Sequence, residues 1–220
     1  MPARVLPRPW SGQNVFMSKP VQVRAEQRRV LAGSGDPRAE RTRHLLVDAL
    51  DELARDNALE GLTVARLTRV AHVTRAAFYS HFPDLAAFIR SVVERDLADV
   101  TASFHNNNVK VGMTLAEATR ISLEETLDRV IQRPALYTWA MGETSILPAR
   151  TVTDIFAAAV ARSVEQTQVI PAGLRPGIVV DFIAGGVATA IAGYLHRDRI
   201  DSRDEVVAAM TASLPSWFTA

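Results

Sequence analysis

The stretch Val73–Asp84, VTRAAFYSHFPD, is the most distinctive in the chain. Phe78 and Phe82 stand four residues apart, one turn of an α-helix. At 100° per residue they fall on one side, with Arg75 and Tyr79 beside them and Ala76 and Ser80 pointing further outward. Thr74 supplies an N-cap. Pro83 stops the helix, because the residue before a proline disfavours the helical region. The expectation is a short helix that buries two rings and shows a basic, polar face. For either ring taken alone, ordinary half-buried core is the plainer reading; the spacing and the proline stop together favour a specialised helix.

Upstream, Thr63 caps a second short helix carrying Val64, Leu67, Val70 and Ala71, and His72-Val73 forms the turn between the two. Before it, Asp36-Pro37 opens a longer helix with Leu45, Leu46, Ala49, Leu50 and Leu53 at helical spacing, closed by a loop through Asn57 and Gly61. Two short helices joined by a tight turn behind a longer first helix form a helix-turn-helix. In that motif the second helix enters the DNA major groove. Arg75, at its start, reaches a base edge, and Tyr79 and His81 donate to phosphates. Small residues at Ala76 and Ala77 permit close approach to the groove. The candidate DNA-binding residues are Thr63, Thr74, Arg75, Ala76, Ala77, Tyr79, Ser80 and His81.

Downstream, Asp84 opens a long fourth helix with Leu85, Phe88, Ile89, Val92, Val93 and Leu97 in register. Helical patterns follow at 114–132, 134–143, 150–168, 174–197 and 203–214, without alternating β-branched runs or an internal repeat. The fold class is all-α. The expected organisation is a basic tail over 1–35, a helix-turn-helix domain over 36–83, and a regulatory domain over 84–220.

Composition narrows the chemistry. The chain has 220 residues, 48% of them apolar, enough for a sizeable core. It contains no cysteine, which removes disulfides and thiolate catalysis and makes the cytoplasm the expected compartment. The net charge of +1 hides an asymmetry: residues 1–83 carry 13 Arg/Lys against 8 Asp/Glu, and residues 84–220 carry 12 against 16. A basic front half suits a polyanion partner. Residues 1–35 mix Pro, Arg and Gly without apolar period, which reads as a tail rather than a secretory signal; a start of translation at Met17 is the other reading. The uncharged run 182–195 is expected to be a buried helix too short to span a bilayer, so no membrane partner is expected.

The run Thr63–Phe88, TVARLTRVAHVTRAAFYSHFPDLAAF, resembles the DNA-binding region of the TetR (tetracycline-repressor) family of bacterial regulators. Thr63, Val64, Leu67, Ala71, Val73, Thr74, Phe78, Tyr79, His81, Phe82, Asp84 and Phe88 match the family pattern. His72 stands where the family carries the glycine of the turn, Ala77 where relatives carry a threonine, and Leu85 where they carry a phosphate-contacting lysine. Histidine tolerates the left-handed conformation better than most residues, so the turn is expected to form. The resemblance implies a ligand-responsive regulator, most simply a repressor that binds a palindromic operator as a homodimer and is released by a small-molecule effector. It places the dimer on the last two helices and the effector inside the C-terminal domain.

The residues add independent support for the dimer. On the 174–197 helix Phe182, Gly186, Thr189 and Gly193 form one narrow stripe, while Val180, Val187, Ile191 and Leu195 occupy the other side. A helix that is apolar or small on both faces needs two partners. Packing inside one larger core is the alternative. For the effector, Phe104, Tyr137, Trp139, Met141, Phe156 and Phe182 offer apolar and aromatic lining and Glu143 a polar contact, which fits a lipophilic or aromatic molecule. No nucleophile elbow, P-loop, G-x-G-x-x-G or metal-ligand spacing is present, so no enzyme activity, cofactor or metal is expected. The rival reading is a helical small-molecule-binding protein that has lost specific DNA binding.

Overall fold

The computed structural model describes the backbone of residues 37–110, 114–167, 170–196 and 202–219, and their side chains except 99–110, 166–167 and 219. Ten helices and no strands occur among the described residues. The first three are α1 (Pro37–Arg55), α2 (Val64–Val70) and α3 (Arg75–Tyr79). The long α4 (Leu85–Lys110) follows, then α5 (Leu115–Gln132), α6 (Pro134–Ala140) and α7 (Thr151–Thr167). The chain closes with α8 (Pro176–His196), α9 (Arg203–Ala212) and the single turn α10 (Ser216–Thr219). The basic tail expected over 1–35, and the N-cap expected at Asp36, lie outside the described residues.

Local chemistry sets the helix ends. Thr63 Oγ1 accepts from the Arg66 N–H at 3.2 Å, and Thr74 Oγ1 from the Ala77 N–H at 3.1 Å. Asp84 Oδ1 accepts from the Ala87 N–H at 2.7 Å and starts α4. Thr114 with Glu117, and Ser202 with Glu205, close reciprocal capping boxes on α5 and α9. Two C-termini end in Schellman motifs. Asn57, at φ +52°, lets the Ala58 N–H reach the Leu53 carbonyl at 2.8 Å, and His72, at φ +53°, lets the Val73 N–H reach the Thr68 carbonyl at 3.0 Å. The turn of the helix-turn-helix is thus a left-handed cap with histidine in a position that favours glycine.

The helix α3 has only five residues and cannot persist by itself, since isolated helices of that length are marginal in water. It is held by its rings. Phe78 and Phe82 are buried with Phe88 of α4, at centroid separations of 5.7 Å (Phe78–Phe82), 5.9 Å (Phe78–Phe88) and 5.0 Å (Phe82–Phe88). Such pairs contribute about 0.5–1.5 kcal/mol each beyond their buried area. Leu46 and Leu50 of α1, Leu67 of α2 and Ile89 of α4 belong to the same core, which runs on without a break into α5–α9. The two expected segments, 36–83 and 84–220, therefore share α4 and one hydrophobic core.

A polar node ties the same parts together. Arg133, at the junction of α5 and α6, donates from Nε to Asp51 of α1 at 2.8 Å and from Nη1 to Asp96 of α4 at 2.5 Å. The Tyr137 hydroxyl of α6 donates to Asp96 at 3.3 Å. Burial works against the Arg133 charge, yet the carboxylates of Asp96 and Asp51 outweigh it and hold the guanidinium pKa above its ordinary value. Burial, then the Asp96 charge, pushes the Tyr137 phenol well up, so it stays a hydrogen-bond donor.

The helix α8 corrects one expectation. The uncharged run forms only part of a 21-residue helix that includes Asp181, and by length and composition this helix could cross a bilayer. In this fold Ile183, Ala184, Ala188, Ile191 and Tyr194 bury one of its faces, chiefly against α7.

Replacing His72 with Gly is expected to stabilise the protein by about 0.5–1 kcal/mol. The relief of the left-handed penalty exceeds the extra chain entropy that glycine loses on folding. Urea denaturation checks this, and a lower midpoint for the variant contradicts it.

Candidate nucleic-acid interface and adjoining cavity

On α3 the burial pattern separates two faces sharply. Phe78 has no exposed surface, whereas its neighbour Tyr79 is 56% exposed, and their rings meet edge-on at 5.4 Å. Thr63, Thr74, Arg75, Ala76 and Ser80 are exposed, and Ala77 and His81 are half-buried. All eight candidate residues are thus accessible and lie at the helix-turn-helix. Ser80 and His81 fall one step beyond α3, in a turn that continues its hydrogen bonds: Ser80 N–H to the Ala76 carbonyl at 3.0 Å and Phe82 N–H to the Phe78 carbonyl at 3.0 Å. Ser80 also donates its hydroxyl to the Ala77 carbonyl at 2.7 Å, so that proton is already used.

Arg75 pairs with no carboxylate among the described residues, and neither do Arg66 and Arg69 of α2. These two arginines were not among the expected DNA contacts. They lie three residues apart on α2, and the first helix of a helix-turn-helix is the one that crosses the phosphate backbone.

The C-terminal body holds a cavity of about 80 Å³ between α4, α5, α7, α8 and α10. Leu97, Phe156, Ile183, Val187 and Phe218 are among its apolar walls, and Thr119, Ser122, Thr126 and Ser163 bring hydroxyls. No charged side chain lines it. Of the residues expected to line an effector site whose side chains are described, Phe156 lines this cavity and the others do not. Tyr137 is fully buried in the polar node; Trp139 is buried in the main core and Met141 packs against it. Glu143 is exposed on the turn after α6, and the side chain of Phe104 lies outside the described residues. Phe182 is 71% exposed on the outside of α8. Sequence spacing marked these residues as apolar but could not say which helix each would meet. The hydroxyls were missed because serine and threonine inside a helix more often satisfy their own backbone.

Phe182 sits with Gly186 and Thr189 on the solvent side of α8, and Gly193 is half-buried on the same helix. Ile178, 65% exposed, extends the apolar strip one turn back. Phe182, Gly186 and Tyr194 of α8 face Val206, Met210 and Pro215 across a groove of about 570 Å³. A side chain added at Gly186 would meet nothing within 4 Å, so the chain's own packing does not require glycine there.

No family model matches the chain. Over 66 residues it is 33% identical to the uncharacterised HTH-type transcriptional regulator YxbF of Bacillus subtilis (strain 168), a match spanning 30% of this chain and only 17% of that protein. Solved structures of low sequence identity share its fold. The regulator FadR of B. subtilis, in complex with stearoyl-CoA, has a TM-score of 0.56 at 13% identity, with 77% of this chain and 95% of that one covered. Thermus thermophilus FadR, a TetR-family repressor in complex with lauroyl-CoA, has a TM-score of 0.58 at 13% identity, over 79% and 91%. A TetR-family regulator from Streptomyces coelicolor has a TM-score of 0.54 at 17% identity, over 78% and 77%. The chain has the all-α fold of TetR-family regulators, with its helix-turn-helix at the N-terminal end.

Replacing Arg75 with Ala is expected to cost about 1–3 kcal/mol in DNA binding and to relax preference at one base pair per half-site. Selection from a randomised duplex library reads this directly. Unchanged selectivity contradicts the assignment of Arg75 to a base edge.

Proposed function

We propose that this protein is a ligand-responsive transcriptional repressor that binds a palindromic operator as a homodimer and is released by a small lipophilic or aromatic effector. One observation carries the reading: α3 buries Phe78 completely while Arg75, Ala76 and Tyr79 on the same five-residue helix stay open to a partner. A surface of one free arginine and small residues fits a major groove, with Ala76, Ala77 and Ser80 allowing close approach and Thr63, Thr74, Tyr79 and His81 placed for phosphate contacts. The protein is then a cytoplasmic regulator without catalytic activity, and its partners are double-stranded DNA, the effector and a second copy of itself.

The dimer is assigned to α8 and α9. Phe182 and Ile178 are large apolar groups left in solvent by the single chain, and Gly186 keeps an open approach for a partner helix. The effector is assigned to the cavity. At about 80 Å³ it is smaller than the roughly 150 Å³ that admits a benzene ring, so an effector binds only when the walls part. That requirement gives the ligand its preference between two states of the protein. One wall is Leu97 of α4, whose other end carries Phe88 of the ring cluster that seats α3. A shift of α4 therefore alters the spacing of the two α3 helices, which must lie about 34–36 Å apart to enter successive major grooves. The stearoyl-CoA and lauroyl-CoA bound by the two FadR proteins support an effector with an apolar body.

The direct test is titration of the duplex upstream of the protein's own gene, followed by anisotropy and by the mass of the complex. Saturable binding of two chains per site, resistant to competitor DNA, is expected. Binding no tighter than to random duplex refutes the regulator and favours a ligand-binding protein without DNA function. Gly186→Leu is expected to leave the monomer folded but to lower the dimer's mass in light scattering and weaken operator binding. A persistent dimer of wild-type stability places the interface elsewhere.

A further inference from the structure

The cavity's hydroxyls are not equivalent. On α5, Thr119, Ser122 and Thr126 recur at helical spacing and turn one face to the cavity. Thr126 Oγ1 donates to the Ser122 carbonyl at 2.7 Å, and Ser163 Oγ to the Ala159 carbonyl at 3.3 Å. The same backbone bond, to the residue four positions earlier, occupies Thr68 on α2 and Thr211 on α9. Thr119 does otherwise. It is only 5% exposed, and its Oγ1 has no partner among the described residues. A buried hydroxyl without a hydrogen bond is costly, and Thr119 is one of the residues that line the cavity.

We infer that Thr119 is the specificity-determining polar contact of the effector site, and that the site takes an uncharged, hydrocarbon-bodied molecule bearing one hydroxyl or carbonyl group. The inference rests on the effector role proposed above. A hydroxyl or carbonyl gives Thr119 Oγ1 its missing partner, and the apolar walls cover the rest of the molecule. An ionised carboxylate or phosphate finds no cation in the lining, and its desolvation far exceeds what one threonine hydroxyl returns. Molecules of like shape are then sorted by charge first and by their single polar group second.

Toluene, benzyl alcohol and benzoate form a matched probe set. Their affinities are measured by NMR titration of the isotope-labelled full-length protein, for the wild type, Thr119→Val and Thr119→Ser. Benzyl alcohol is expected to bind the wild type and Thr119→Ser about tenfold more tightly than Thr119→Val, the loss of one hydrogen bond. Toluene is expected to bind all three within about twofold, because valine keeps the threonine shape. Benzoate is expected to bind at least about a hundredfold more weakly than benzyl alcohol. Equal affinity for benzoate and the alcohol, an alcohol-to-toluene ratio unchanged in Thr119→Val, or no binding of either neutral probe overturns the inference. Operator affinity, measured on the same samples, separates the two claims. Thr119-dependent probe binding that leaves operator affinity unchanged supports the ligand chemistry and refutes the regulatory role. Release of operator by the alcohol that is equal in wild type and Thr119→Val does the reverse.

Discussion

The architecture depends on a contact between three rings. A five-residue helix has too few hydrogen bonds to hold its shape, so α3 exists because Phe78 and Phe82 pack against Phe88 of α4. Everything that α3 shows to its surroundings follows from that anchor. With Phe78 and Phe82 turned inward, Arg75, Ala76 and Tyr79 must turn outward, since residues on so short a helix have no other face. Pro83 adds rigidity, because it forces the backbone out of the helix before Asp84 caps the next one. The link from α3 to α4 is therefore a packed ring cluster and the five residues Ser80–Asp84, with Pro83 among them.

That anchor makes α4 the element that touches both ends of the molecule. Near its start it carries Phe88, further along Leu97 borders the cavity, and between them Asp96 joins α1 and α6 through Arg133. The Arg133 node is polar and partly buried, a construction that specifies geometry more than it adds stability. Asp51 and Asp96 share one guanidinium, so α1 and α4 are held in one relation to the α5–α6 corner. The cavity sits against the same helix. Packed interfaces of this kind shift between discrete arrangements rather than deform continuously.

Much of this was legible in the sequence, for physical reasons that differ by element. The helix-turn-helix was readable because it is dense in local signals: Thr63 and Thr74 cap, Pro83 stops, and Phe78 and Phe82 repeat at one turn. The left-handed His72 could be anticipated because a Schellman cap needs that conformation at a fixed place between two helices. On α8 the stripe of Phe182, Gly186 and Thr189 was legible as one face and is exposed, whereas the buried face also takes Ile183, Ala184, Ala188 and Tyr194, which the stripe reading did not name. The cavity was not. Tyr137 and Trp139 look like lining residues in sequence but serve the core, because which helix a buried ring meets is settled by tertiary packing. Thr119 gives no sign in sequence that its hydroxyl, unlike those of Thr68 and Thr126, declines the backbone bond.

The occupant of the cavity is proposed to set the spacing of the two recognition helices. The absence of cysteine allows one spin label per chain, placed at the exposed Glu60 beside the helix-turn-helix as Glu60→Cys. Pulsed electron resonance then gives the label-to-label distance in the free dimer, with upstream duplex, and with saturating benzyl alcohol. Coupling of the cavity to the recognition helices gives a narrow distribution on DNA and a shift of the mean to a different distance with the alcohol. One distance distribution common to all three states would contradict it.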